Sequence, residues 1–435
     1  MQYLSTRDSA LRVSAQKAIV RGLAPQSGLF VPETFPQADL DAWKNLSYPE
    51  LAEKVLAGFL TDYSADFLHT ATASTYGAAF GGKAGETVRV RDGLYSLELW
   101  HGPTCAFKDY ALQLMPKLLV EAKKMLGRTE TTRILVATSG DTGKAALAGY
   151  ADLDGIEIEV FYPNDGTSEI QHLQMATQKG ENVQVYAVQG NFDDAQTGVK
   201  KVFADADVAA ELEKRGIRLS SANSINWGRL VPQIVYYFYA YFRLAEQGAV
   251  EWGKPVDFCV PTGNFGDILA GYYAKQMGLP VGRLVCASNK NNVLTDFLRT
   301  GTYDARRTFY KTTSPSMDIL ISSNLERLLY HVSGSSEKVA GWMQELSATG
   351  KYTVDAETLA KIQQSFAAGY ADDADGAAEI KARFDGDHYL CDTHTAVAFH
   401  VAAQKKREGV PMVVLSTASP FKFPRSVLEA LGRTA

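Results

Sequence analysis

Lys108 stands where an extended segment gives way to a helical pattern, after His101-Gly-Pro-Thr-Cys-Ala-Phe107 and before Asp109. Leu112, Met115 and Leu119 then repeat at helical spacing, so a helix follows the turn. Pro103 keeps Gly102 out of helical dihedrals and sharpens that turn. A lysine between Phe107 and a first helical turn has apolar neighbours and backbone N–H dipoles around its amine, and both lower its pKa. A desolvated lysine of this kind attacks carbonyl carbon, the chemistry of a Schiff base. The plainer reading is a solvated surface lysine, the ordinary state of that residue.

Three other turns carry groups able to hold an anion or a heterocycle. Thr138-Ser-Gly-Asp-Thr-Gly-Lys144 follows the apolar run Arg133–Ala137. A nucleotide P-loop would need glycine at 138 and Ser or Thr at 145; Thr138 and Ala145 stand there, so that assignment fails. What remains is a polar turn at a helix start, able to offer amides and hydroxyls to a carboxylate or phosphate, or a plain connection with an N-cap. Gly263-Asn-Phe-Gly-Asp267 follows the run Val256–Val260. Two glycines three apart let backbone bend closely around an anion, and Asp267 either touches the ligand or caps the helix expected from Ile268. Ser416-Thr-Ala-Ser-Pro420 ends a strand with hydroxyls: Thr417 suits an uncharged ring nitrogen, or the segment is a turn that satisfies its own backbone.

The elements that must position these turns alternate from Thr87 onward, as in an α/β layered fold. Strands are expected at 133–138, 156–162, 183–188, 256–260, 284–287 and 412–415, and helices at 168–179, from Ile268 and over the aromatic segment Leu230–Phe242, which a loop at 223–229 enters. Open sheets bind ligands at the carboxyl ends of their strands, where the loops after Thr138, Val260 and Leu415 fall. Residues 1–80 read as a separate, mostly helical domain, with Tyr48–Tyr63 helical and the glycine-rich 77–85 stretch as linker. Asp372-Asp-Ala-Asp375 reads as a solvated acidic loop.

With 435 residues, 46% hydrophobic and 21% charged, the chain has the balance of a soluble globular protein of two or three units. A net charge of −5 argues against nucleic acid or an anionic membrane as the main partner, so any anion site must be local. No apolar run reaches membrane-spanning length and the first residues lack a signal peptide's apolar region. Four scattered cysteines and seven histidines without ligand spacing indicate neither disulfides nor a metal. A cytoplasmic, metal-free protein is the expectation.

Taken together, Gly28–Glu33, His101–Asp109, Thr138–Thr142, Ser224–Arg229, Gly263–Asp267, Asp392–Thr395 and Ser416–Pro424 resemble threonine synthases of the bacterial and fungal subclass, in family order over nearly the whole chain. The resemblance implies a fold-type II pyridoxal-phosphate enzyme with two open twisted α/β sheets behind the N-terminal domain. Residues 81–435 would be the catalytic region, with a small α/β subdomain at about 131–222 inserted in a larger one. It implies pyridoxal 5'-phosphate held by Lys108, with Gly263, Asn264, Phe265 and Asp267 around its phosphate and Thr417 facing its ring nitrogen. Many such relatives carry Asn where Asp141 stands. The implied activity is a carbon–oxygen lyase acting on phosphates, taking O-phospho-L-homoserine and water to L-threonine and phosphate. Ser139, Gly140, Asp141 and Thr142 would hold the substrate carboxylate, Lys144 and Arg229 its phosphate, and Asn226 would join the substrate-binding set. A serine or threonine dehydratase and a silent threonine-synthase-like binding protein are the alternatives, and monomer and homodimer are equally open.

Overall fold

The computed structural model describes residues 1–164, 166–190 and 192–434. The chain opens with strands β1 (Tyr3–Ser5), β2 (Asp8–Val13) and β3 (Phe30–Pro32), an antiparallel sheet in the order β2-β1-β3. The lead-in expected to be mostly helical therefore begins as a sheet, built partly from strands of three residues that leave no alternation to read. Helices Tyr48–Phe59 and Ala65–Tyr76 follow. A Ser47–Glu50 capping box opens the first, which buries Leu51, Val55, Leu56 and Phe59 along one face. Phe80 and Ala84, inside the glycine-rich 77–85 stretch, are buried, while Ala78, Ala79, Gly81, Gly82 and Lys83 are exposed.

Strands β4 (Glu86–Arg91) and β5 (Leu94–Glu98) form a hairpin, after which the chain leaves through Lys108 for another sheet. That sheet comprises β6 (Thr131–Ala137), β7 (Ile156–Pro163), β8 (Val183–Val188) and β9 (Ile217–Ser220), all parallel, in the order β8-β7-β6-β9. The chain returns with β10 (Val256–Pro261) and β11 (Val281–Ser288). A separate pair follows, β12 (Thr302–Asp304) with β13 (Lys351–Thr353), then β14 (Phe366–Tyr370) and β15 (Met412–Ser416). The large sheet runs β14-β11-β10-β15-β5-β4, parallel except for edge strand β4.

Strand β15 sits between β10 and β5, with Val413 opposite both Phe258 and Tyr95. Central parallel strands are covered on both faces, so they read as unbroken apolar runs. Leu97, Phe258, Val260, Val413 and Leu415 are all fully buried, each contributing about 1.5–3 kcal/mol by leaving water. All four ligand-facing turns lie at strand carboxyl ends: Lys108 beyond β5, Ser139 after β6, Gly263 after β10 and Thr417 after β15.

Three expectations need correction. The segment 223–242 is not a loop and one helix but helix Trp227–Leu230, a 3-10 turn Val231–Gln233 and helix Ile234–Glu246. Pro232, which lacks an N–H and crowds the preceding turn, breaks it. The helix after β10 starts at Gly266 rather than Ile268. Asp372-Asp-Ala-Asp375 is no loop: Asp372 caps helix Asp373–Asp387 and Asp375 bonds back to the Asp372 amide. No helix among the described residues is long and apolar enough to cross a membrane.

Candidate active site

The turn carrying Lys108 is bound to the end of β15. Leu99 N–H donates to the Ser416 carbonyl (2.9 Å), Phe107 N–H to the Thr417 carbonyl (2.8 Å) and Ser419 N–H to the Cys105 carbonyl (3.1 Å). Within the turn, buried Asp109 accepts from Thr104 N–H (2.8 Å), Thr104 Oγ1 (2.7 Å) and Gln113 Nε2 (3.0 Å). Burial pushes the Asp109 carboxyl up to about 6 against the pull of those bonds. A Cβ on Gly102 would lie 2.6 Å from Asp109 Oδ2, so only glycine fits there. Burial also pushes the Cys105 thiol up, which leaves the lysine as the nucleophile of this turn.

Lys108 is half-buried, with Nζ 4.1 Å from the centre of the Phe107 ring. Burial lowers its amine to about 8, the Arg229 guanidinium works in the same direction, and Asp267 and Asp141 oppose it. At pH 7 an amine of that pKa is about one-tenth neutral, against roughly three parts in ten thousand for an ordinary lysine. The neutral form grows as pH rises, so the initial rate at which this amine condenses with an added aldehyde should climb about tenfold per pH unit below 8 and level off above it. A rate still climbing steeply at pH 10 would contradict the desolvated lysine.

The turn after β10 faces the same region. Phe265 adopts a left-handed conformation (φ +65°) with its ring buried against Phe366 at 5.6 Å, and helix Gly266–Gln276 starts directly after it. The amides of Phe265 and Gly266 thus have no intrahelical acceptor and lie at the positive end of the helix. Asp267 Oδ1 accepts from Ile268 N–H (2.9 Å); burial pushes this carboxyl up to about 6 while Lys108 draws it down. A Cβ on Gly263 would come within 2.6 Å of the Ser316 carbonyl oxygen. Ser322 Oγ donates to the Gly263 carbonyl (2.9 Å) and Asn324 N–H to the Asn264 carbonyl (3.1 Å), which fixes the loop's shape. Open amides at a helix start, a glycine with no room for a side chain and a desolvated lysine fit a phosphorylated aldehyde.

Lys108, Ser139, Thr142, Arg229 and Asn264 line one cavity of about 1270 Å³. Gly263, Phe265, Asp267 and Thr417, also expected at the cofactor, are not among the residues that line it; Thr417 is tied to the lysine turn through its carbonyl. Arg229 is buried; its Nη1 donates to the Ala222 carbonyl, and its Nε has no partner among the described residues. Burial pushes this guanidinium down to about 10.

Four residues expected at the substrate are not among those lining the cavity and make other contacts. Gly140 (φ +136°) packs against Gln171, whose Cδ a Cβ would approach to 2.5 Å. Asp141 is not among the residues lining the cavity and pairs with Lys422 Nζ (2.7 Å). Burial raises its pKa, but Lys422 and Gln171 pull it below the ordinary value. Lys144 donates to Gln178 and lines none of the cavity. Asn226, fully buried, accepts from Gly228 N–H (2.9 Å) and donates to the Ile19 carbonyl (2.9 Å), fastening its turn to the N-terminal unit. The cations that do line the cavity beyond Lys108 and Arg229 include Arg7, Lys200 and Lys311, from segments that carried no signal in the sequence.

A desolvated lysine beyond one strand end and a glycine turn beyond another fit a pyridoxal-phosphate dependent enzyme, and the model of that family matches residues 86–417. Residues 2–76 match the threonine synthase N terminus. The chain belongs to the threonine synthase family. Threonine synthase of Pseudomonas aeruginosa is 40% identical, the match covering 99% of this chain and 90% of that protein. The crystal structure of pyridoxal-phosphate-bound threonine synthase from Brucella melitensis, 40% identical, superposes with a TM-score of 0.93 over 100% of this chain and 92% of that one. The yeast enzyme gives 0.90 at 36% identity, over 99% and 90%. Human threonine synthase-like 1 is also 40% identical over 99% of this chain, which spans 60% of that relative's length.

Proposed function

We propose that this chain holds pyridoxal 5'-phosphate at Lys108 and converts O-phospho-L-homoserine and water to L-threonine and inorganic phosphate. The observation that carries the reading is Lys108 itself, an amine lowered to about 8 on the wall of a cavity shared with Ser139, Thr142, Arg229 and Asn264. Gly263, Asn264, Phe265 and the start of the following helix would bind the cofactor phosphate, and Thr417 would stand at the ring nitrogen. When bound, the cofactor supplies an electron sink for the negative charge left at the substrate's Cα. Lys108 takes and returns the proton at that carbon, which its neutral fraction at physiological pH allows. Ser139 and Thr142 orient the substrate carboxylate with their hydroxyls. Arg229, with one N–H still unspoken for, attracts an anionic group of the substrate, and its own bond to the Ala222 carbonyl fixes its direction.

The deciding experiment measures phosphate and threonine together from purified, cofactor-loaded protein given O-phospho-L-homoserine. Equal amounts of both are expected; no phosphate from phosphohomoserine but 2-oxobutyrate from separately supplied L-threonine would identify a dehydratase, and turnover of neither a silent relative. The corrected placement of Lys144 separates two variants. Arg229→Met should raise KM for phosphohomoserine by about 10- to 100-fold, the loss expected for a charged hydrogen bond. Lys144→Met should stay within about threefold of wild type, as expected where only an exposed or half-buried contact is lost. The reverse ranking would return the phosphate to Lys144.

A further inference from the structure

Lys422 is a buried cation outside the cavity, 2% exposed, on the segment after β15. Its Nζ lies 2.7 Å from Asp141 Oδ1 and donates to the Thr104 carbonyl at 2.9 Å. Thr104 belongs to the turn before Lys108, and Asp141 to the turn after β6 in the other sheet. The contacts close into a ring. Gln171 Nε2 also donates to Asp141 Oδ1 (2.9 Å), Gln171 Oε1 accepts from Ser168 N–H (3.0 Å), and Ser168 Oγ donates to the Lys422 carbonyl (2.9 Å). Gln171 is fully buried and packs where a Gly140 side chain would be, so the turn is held from both sides.

We propose that Lys422 is a positioning residue: its buried pair with Asp141 locks the Ser139–Thr142 turn of the small sheet to the lysine turn of the large one. The small sheet's turn cannot shift relative to Lys108 without leaving a charge buried and unpaired, which is far costlier than losing a surface contact. A surface lysine would give no such rigidity, because water would replace the carboxylate. The pair also accounts for an Asp at 141. An Asn there would take away the carboxylate bonded to the Lys422 ammonium and leave Asp109 to act on it only through space.

That this turn contacts substrate is part of the proposed function, so the test reads the lock and the contact separately. The variants are Lys422→Met, Asp141→Asn and the two combined, each as cofactor-loaded protein. Both single variants should melt lower than wild type, and the combination should recover much of the loss because no lone charge remains. Hydrogen exchange of a peptide covering 138–145 reports the lock directly, since the amides of Gly140 and Gly143 are held by Thr138 Oγ1 at 2.9 Å. Exchange there should be about tenfold faster in the combined variant despite its restored melting temperature, as expected when a local opening becomes easier without global unfolding. KM for phosphohomoserine should rise about tenfold with kcat changed much less, as for lost binding alignment. Wild-type exchange in the combined variant would overturn the proposal and leave the pair a matter of stability alone. Faster exchange with unchanged KM, matched by unchanged KM in Ser139→Ala, would uphold the lock and instead remove this turn from the substrate site.

Discussion

Lys108→Ala is expected to lower phosphohomoserine turnover by at least ~10³-fold, because one substitution removes both the nucleophile for the cofactor aldehyde and the base at Cα. The side chain is half-buried and its neighbours are held by other bonds, so the protein should stay folded and its melting temperature close to wild type. Two measurements bind the effect to the amine. Borohydride reduction of the loaded wild type should attach the cofactor to the peptide containing Lys108, and the variant should take no label. A small primary amine added at high concentration should restore part of the proton transfer without restoring the label. Turnover above one-tenth of wild type, or a label on Lys144 or Lys422, would assign the chemistry to another lysine.

The second large effect belongs to Gly263→Ala. The new methyl would sit 2.6 Å from the Ser316 carbonyl oxygen, a backbone atom that cannot swing aside as a side-chain end would. Overpacking of this kind costs about 1–3 kcal/mol, or roughly 5- to 160-fold in an equilibrium, and here it falls on the loop proposed to cradle the phosphate. Affinity for pyridoxal phosphate should fall by that factor, while affinity for pyridoxal, which has no phosphate, should hardly change. Gly266→Ala is the internal comparison. Its Cβ would be 3.5 Å from Asn324 Nδ2, ordinary contact distance, so cofactor affinity should stay near wild type. Equal losses for both ligands in Gly263→Ala would mean that the loop supports the ring or the lysine rather than the phosphate.

What could be read in the sequence followed from local chemistry. The lysine turn, the glycines at 263 and 266 and the central strands announced themselves because their causes lie within a few residues: a proline, a helix start, an apolar run buried on both faces. Strands β9 and β14 did not, since both are short and only partly buried, and short strands at sheet edges look like many loops. The acidic stretch at 372–375 hid a capping box behind an excess of charge. The expected site residues that the structure places outside the cavity share one cause. Asp141 answers to Lys422, Asn226 to the Ile19 carbonyl and Lys144 to Gln178, partners 281, 207 and 34 positions away that no spacing rule connects. A polar residue beside a glycine turn looks the same whether it serves a ligand or braces a neighbouring element.

The position of β15 has a consequence for how the site comes into being. The small sheet is drawn from one continuous run, 131–220, and can assemble from its own segment. The large sheet is not: among the described residues β5 and β10 are not neighbours in the sheet, and β15 lies between them and pairs with both. The lysine turn follows β5 and the glycine cradle follows β10, so each sits on a half-sheet that has no register with the other until residues 412–416 slide between them. On a ribosome, those five residues emerge some three hundred after Lys108. Until then the nascent chain can carry a finished small sheet but no pocket, and a reactive amine waits without the cradle that would select its aldehyde.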